Sequence, residues 1–244
     1  MTDTFNKYVQ LHWERRKELL PIILERTNNK VIRGPFEGME ILPKYTWGDG
    51  DIIGKLLAIY EDELFPIIEY ENATRYPSCI INVGCAEGYY GIGMAMKQPE
   101  SNVVCIDISN EALGIARENA SVNNVDNIIF MNTSTIEVFN YYIKNNPSTF
   151  IIMDVEGKEL DLLDPTLLCM DNVSILVETH SIEIKDTLID RFKDTHAINI
   201  IPQGPKNPHI DILADMNDYD KWIACCEGRF GGTMHWLYIR PLDV

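Results

Sequence analysis

The 244-residue sequence predicts an α/β protein built on one doubly wound, seven-stranded sheet. The sheet is expected to be mostly parallel with an antiparallel last strand, behind an N-terminal cap of helices and a short hairpin. Two observations predict this. From residue 79 onward, apolar runs of strand length alternate with segments of helical period. That alternation is the signature of a largely parallel sheet covered on both faces. The last apolar run follows a long Pro-, Gly- and Asp-rich excursion, not a crossover helix, so it is free to return antiparallel.

The elements follow in order. Residues 5–26 read as an amphipathic helix with Tyr8, Leu11, Leu19, Ile22 and Ile23 on its buried side, kinked or divided by Pro21. Residues 30–42 (KVIRGPFEGMEIL) read as two short strands around a Gly-Pro turn. Residues 51–70 are helical in period, with Asp51 placed to cap them. Strands are expected at 79–83, 102–107, 127–131, 149–154, 173–178, 196–202 and 234–240. Helices are expected at 88–97, 110–121, 134–144, 158–169 and 182–193. Residues 203–232 show no clear helix, and a connection of that length reads as a lid or a substrate wall. The boundary falls between a cap segment at 1–75 and a core at 76–244.

Composition narrows the functional classes. The formal net charge is −16, a field that repels phosphate backbones, so nucleic acid is not an expected partner. The acidity itself reads as a solvated surface. The N-terminus has no basic head followed by an apolar core, and no run reaches the roughly 18 apolar residues of a membrane span. The six cysteines, Cys79, Cys85, Cys105, Cys169, Cys225 and Cys226, form no C-x-x-C pair. Reduced thiols in the cytoplasm are expected, with Cys225 and Cys226 packing rather than reacting. The oligomeric state is left open.

Ligands of open α/β sheets bind beyond the carboxyl ends of the strands, where strand order reverses. The residues ending each strand therefore carry the functional reading. In CIINVGCAEGYYGIGMA (79–95), Gly84 and Gly88 bound a turn that lacks the middle glycine of G-x-G-x-x-G. That glycine lets the backbone approach a pyrophosphate, so a dinucleotide is disfavoured. No Tyr-x-x-x-Lys pair supports a nicotinamide oxidoreductase either. The turn suits the methionine end of S-adenosylmethionine, whose carboxylate its amides can hold. Asp107 ends the next strand and can accept both hydroxyls of a ribose; it can also cap the following helix, as can Ser109 or Asn110. After the third strand Asn132, Thr133 and Ser134 stand where an acid would meet an adenine amine, leaving that role to a backbone carbonyl or to Asn132.

The fourth strand runs into Asp154 and then Glu156. Two carboxylates on one turn can bind an acceptor, act as a base or hold a divalent ion, and Glu156 also suits a helix N-terminus. The fifth strand ends at Glu178 and His180. A histidine beside carboxylates has its pKa raised toward the range useful in catalysis. His235, beside Trp236, reads as a core residue.

The run IIMDVEGKELDLL (151–163) resembles the "DvEGaE" signature of the FkbM-type methyltransferases. VGCAEGYYGIGMA (83–95), IDIS (106–109) and LVETH (176–180) stand in the order that family uses. The similarity covers residues 79–180 well and the last strand loosely. Asn82, where many relatives carry an acid, and the missing acid after the third strand depart from it. The resemblance implies a Rossmann-like class I fold and S-adenosylmethionine as cofactor, with S-adenosylhomocysteine as product. It implies cofactor contacts at Asn82, Gly84, Cys85, Glu87, Gly88, Tyr89, Asp107, Ile108, Asn132, Thr133 and Asp154. It further implies methyl transfer to a hydroxyl, less readily an amine, of a small molecule or sugar. Asp154, Glu156, Glu178 and His180 are the candidates for the base. A divalent ion at Asp154 and Glu178 ranks behind metal-free catalysis, since no compact ligand motif is present. Trp47, Tyr60 and Glu61 are candidates to cover cofactor or substrate; for Glu61 a solvated acidic helix face is an equal expectation. The competing readings are a nicotinamide-dependent oxidoreductase and a cofactor-binding protein without catalysis.

Overall fold

The computed structural model describes residues 3–47, 51–166, 168, 170–227 and 234–242. The chain forms two compact units, Met1–Asp62 with Gly204–Gly232, and Glu63–Gln203 with Thr233–Val244.

The second unit holds the sheet. Its strands are β1 (Cys79–Val83), β2 (Asn102–Ile106), β3 (Ile128–Met131), β4 (Thr149–Met153), β5 (Val173–Thr179), β6 (His196–Pro202) and β7 (His235–Pro241). They lie in the order β3-β2-β1-β4-β5-β7-β6. β1 to β5 are mutually parallel, and β7 runs antiparallel to both β5 and β6. Strand order reverses between β1 and β4, which places the crevice of an open α/β sheet beyond their carboxyl ends.

Alternation along the strands divides the side chains between two covered faces. Ile81, Val83, Val104, Ile106, Ile151, Met153, Ile175 and Val177 share one core cluster with Phe139, Ile143, Leu188 and Phe192. Phe139 and Ile143 come from helix α6 (Ile136–Lys144), Leu188 and Phe192 from helix α8 (Ile182–Phe192). Asn82 and Cys105 meet helix α4 (Tyr89–Lys97) at Gly91. A Cβ there would lie 2.1 Å from Cys105 Sγ and 3.3 Å from Asn82 Oδ1, so only glycine permits this approach. Helix α5 (Asn110–Val122) is capped by Ser109, whose Oγ accepts the Ala112 N–H at 3.2 Å. Helix α3 (Phe65–Tyr70) begins with a proline in its first turn, a position where the missing N–H costs nothing.

Several expectations are corrected. Helix α1 (Asp3–Thr27) continues through Pro21 undivided. Of its expected buried positions only Leu19 and Ile23 are buried; Tyr8, Leu11 and Ile22 are exposed. The buried stripe is His12, Arg16, Leu19, Ile23 and Thr27, which hydrophobicity alone does not reveal. Arg16 is tolerated inside because its guanidinium donates to the carbonyls of Ile223 and Cys226. Residues 51–70 are broken into helix α2 (Ile52–Leu56), a 3-10 turn at Asp62–Leu64 and α3. Asp51 sits at φ 49° without capping α2, and Ala58 and Glu61 also take positive φ, which ends helical propagation. Glu61 is buried, so the solvated acidic face is not found.

The helix expected at 158–169 shrinks to α7 (Glu159–Leu162), because Pro165 disfavours helical backbone at the residue before it. Leu167 and Cys169 lie outside the described residues. The 203–232 excursion does contain a helix, α9 (Asp218–Cys225), capped by Asn217, whose Oδ1 accepts the Asp220 N–H at 3.0 Å. Its signal was an Asn cap followed by Asp218 and Asp220. In the expected hairpin at 30–42, only a single antiparallel bridge joins Lys30 and Glu40.

Candidate active site

Strand register assembles the site. Val83 pairs with Ile106 on one side and Met153 on the other, and Met153 pairs with Val177. The next residues, Gly84, Asp107 and Asp154, therefore stand just beyond three adjacent strand ends, level with Glu178, the penultimate residue of β5.

The turn after β1 is held to its neighbours on both sides. Gly84 and Cys85 donate to Ile106 O at 2.9 and 3.0 Å, and Asp154 donates to Val83 O at 3.0 Å. Gly84 has φ 72°, and a Cβ there would lie 1.7 Å from Asp154 O. Gly88 closes the turn at φ 92°. Asp107 reaches into it: Oδ2 accepts the Ala86 N–H at 2.9 Å and Oδ1 the Ser109 N–H at 2.8 Å. Each carboxylate oxygen keeps a second lone pair, so Asp107 is oriented without being saturated.

The other expected cofactor residues separate into three groups. Asn82 is buried and committed to the fold, its Oδ1 accepting from Gly91 N–H at 3.0 Å and its Nδ2 donating to Ile152 O at 3.4 Å. Cys85, Glu87 and Tyr89 are also buried. The adjacent Cys105 thiol, together with burial, holds Cys85 well above the ordinary thiol range. Tyr89 packs edge-on against Tyr90. Ile108, by contrast, is 89% exposed beside Asp107, an unusual setting for an isoleucine. Asn132 and Thr133 line a cavity of about 410 Å³ with Asn110, Leu113, Arg117, Phe130 and Met131.

The β4 and β5 ends carry the strongest electrostatics. His180 Nδ1 and Glu159 Oε1 are 2.7 Å apart. Its Nε2 lies 3.3 Å from Asp154 Oδ1, 3.3 Å from Glu156 Oε2 and 3.6 Å from Glu178 Oε2. Burial by itself lowers the His180 pKa. The Glu159 bond and the charges of Asp154, Glu178 and Glu156 outweigh it and push the value up to about 9. His180 thus carries a proton at neutral pH and is a poor resting base. Burial drives Glu159 up, but the bond to His180, the amides of Glu159 and Gly157 and the imidazolium charge pull it below its ordinary value. Glu178 and Glu159 are buried, whereas the Glu156 side chain is 68% exposed. Glu159 escaped the sequence reading because nothing local separates it from the other acids of the α7 start.

Residues 78–147 match the family model described as a methyltransferase domain. The domain is of the class I S-adenosylmethionine-dependent methyltransferase type. S-adenosylmethionine is its cofactor. The chain is 21% identical over 207 residues to a release factor glutamine methyltransferase of Staphylococcus aureus, covering 74% of each chain. It is 30% identical over 115 residues to a release factor glutamine methyltransferase of Streptococcus pneumoniae, covering 43% of this chain but only 41% of that relative. Two solved structures share the fold. One is a SAM-dependent methyltransferase from Agrobacterium tumefaciens (TM-score 0.51, 13% identity, 74% of this chain and 62% of the other). The second is yhhF from Escherichia coli (TM-score 0.51, 10% identity, 88% and 98%).

These relatives correct the expected partners. Both curated relatives are named for a protein substrate, so the expectation of a small-molecule acceptor does not stand. Neither relative is named as an FkbM-type enzyme, and the family assignment rests at the methyltransferase domain. Among the described residues no helix is long and apolar enough to cross a membrane.

Proposed function

We propose that this methyltransferase transfers a methyl group from S-adenosylmethionine to a polar side chain of a protein acceptor by in-line displacement. The observation that carries the reading is the carboxylate and imidazole cluster one level beyond β4 and β5, against Gly84. The acceptor class follows the names of the curated relatives. The acceptor atom is a hydroxyl oxygen, as the sequence suggested, or an amide nitrogen, as those names suggest; both must lose a proton to react.

In this reading Asp107 accepts the ribose hydroxyls, the 84–88 turn receives the methionine end, and Asn132 and Thr133 border the adenine. S-adenosylmethionine held there would supply an electrophilic sulfonium methyl group, whose transfer to the acceptor atom would leave the C–S electron pair on sulfur and release S-adenosylhomocysteine. Alignment supplies most of the rate. The acceptor proton passes to a carboxylate, and Asp154 is the assigned base because His180 is already protonated. Glu178 and Glu159 hold His180 in place. The run at 151–163 supports kinship with the FkbM-type pattern, and the five described cysteines, none of them in a disulfide, support a reducing cytoplasmic setting.

The test uses the cofactor labelled on its methyl group and a cell extract divided into protein and small-molecule fractions. Label is expected in protease-sensitive, acid-precipitable material. Label confined to the small-molecule fraction overturns the acceptor class.

A further inference from the structure

We propose that Asp154, Glu178 and His180 form a divalent-cation site, with His180 Nε2 and one oxygen from each carboxylate as protein ligands. One ligand atom from each of the three residues lies within 4.8 Å of the others. They come from the ends of two adjacent parallel strands, β4 and β5, so the sheet itself sets their spacing.

The distances separate a cation site from a simple ion-pair cluster. A charge-assisted N–H···O bond closes to about 2.7–2.9 Å, as His180 Nδ1 and Glu159 do at 2.7 Å. On the Nε2 side the carboxylate oxygens stand off at 3.3, 3.3 and 3.6 Å. Two donors each about 2.1 Å from one cation, and 90° to 110° apart about it, are separated by about 3.0–3.4 Å. The Nε2 spacing to Asp154 falls in that interval and the spacing to Glu178 just above it.

The second shell agrees. Fully buried Glu159 accepts a hydrogen bond from Nδ1–H, so a binding cation displaces only the Nε2 proton and meets the lone pair that faces the carboxylates. This carboxylate–imidazole pairing orients metal-bound histidines generally. Charge agrees as well: four carboxylates surround one imidazole, two of them buried, and a dication offsets more of that charge than a single imidazolium does. One imidazole nitrogen with two carboxylate oxygens suits Mn²⁺, Fe²⁺ or Zn²⁺ over Ca²⁺. The role of the cation, to hold the acceptor atom and lower its pKa in place of a free Asp154 base, rests on the proposed transfer reaction; the site does not.

The experiment is calorimetric titration of the metal-free full chain with MnCl₂ and with ZnCl₂ at pH 7.5, alongside S-adenosylmethionine. One equivalent of metal is expected to bind. Asp154→Asn, Glu178→Gln and His180→Gln are each expected to weaken it at least about tenfold, and Glu159→Gln by about tenfold with stoichiometry unchanged. Bound Mn²⁺ should show an altered electron paramagnetic resonance spectrum that reverts in His180→Gln. Retained S-adenosylmethionine affinity certifies that a variant is folded; if the buried Glu178→Gln fails that check, Asp154→Asn and His180→Gln carry the result. No saturable metal binding at millimolar concentration, or binding unchanged in the folded variants, overturns the proposal. Cofactor binding without metal binding sinks the cation site and leaves the transfer reading standing. Metal binding without cofactor binding does the reverse.

Discussion

Replacing Gly84 by alanine tests how the cofactor turn is tied to the β4 end. At φ 72° an alanine pays about 1 kcal/mol for left-handed backbone. The larger cost is steric. The added methyl would sit 1.7 Å from Asp154 O, which is backbone and cannot rotate away. Ordinary contact begins near 3.4 Å, so the turn and the β4 end must separate by well over 1 Å. That opens the Gly84-to-Ile106 bond (2.9 Å) or the Asp154-to-Val83 bond (3.0 Å), each contributing about 1 kcal/mol. Together the loss is about 2 kcal/mol. Gly157→Ala is the internal control: φ is 101° but nothing lies within 4 Å of its Cβ, so only the conformational cost of about 1 kcal/mol applies. Urea denaturation reads both, with the slope unchanged if the unfolded state is unaffected. S-adenosylmethionine affinity should fall in Gly84→Ala, because the Asp107-to-Ala86 bond moves with the turn. Equal destabilisation of the two variants, within about 0.5 kcal/mol, would refute the contact argument.

Three further outcomes are expected. Asp107→Ala should abolish S-adenosylmethionine binding in calorimetry, whereas Asp154→Ala should spare binding and remove turnover; equal loss of binding in both would end the division of roles. Gly114→Ala, inside α5 with open space around its Cβ, should stabilise the protein by about 0.5–1 kcal/mol in the same denaturation assay. Burial raises the Glu71 pKa above 4.5 against the pull of Tyr238, Ser174 and Arg75. A raised folded-state pKa favours the protonated folded form, so this group's stability is full below its unfolded value and declines as pH rises through the folded value. Glu71→Gln should flatten that part of the stability-against-pH curve, and an unchanged curve would remove Glu71 as its source.

β1, β4 and β5 were legible because each is an apolar run of strand length bounded by turn residues, and burial on both sheet faces demands such runs. Gly84, Asp107, Asp154 and Glu178 were legible for a related reason: polar punctuation after a buried strand marks the sheet's carboxyl edge. Other features depend on contacts between segments far apart in the chain. Arg16 is internal only because carbonyls of Ile223 and Cys226 receive it. Glu159 resembles every acid around it until His180, 21 residues away, arrives at 2.7 Å. Nor does His180 by itself announce a ligand. The parallel register of β4 and β5 turns its Nε2 toward three carboxylates; together with the Glu159 bond their charge overcomes burial and moves a histidine from 6.5 to about 9. Local pattern therefore determined where the strands end and which residues end them. Strand pairing decided which of those side chains share a field, because an electrostatic site depends on distances that the order of residues does not contain.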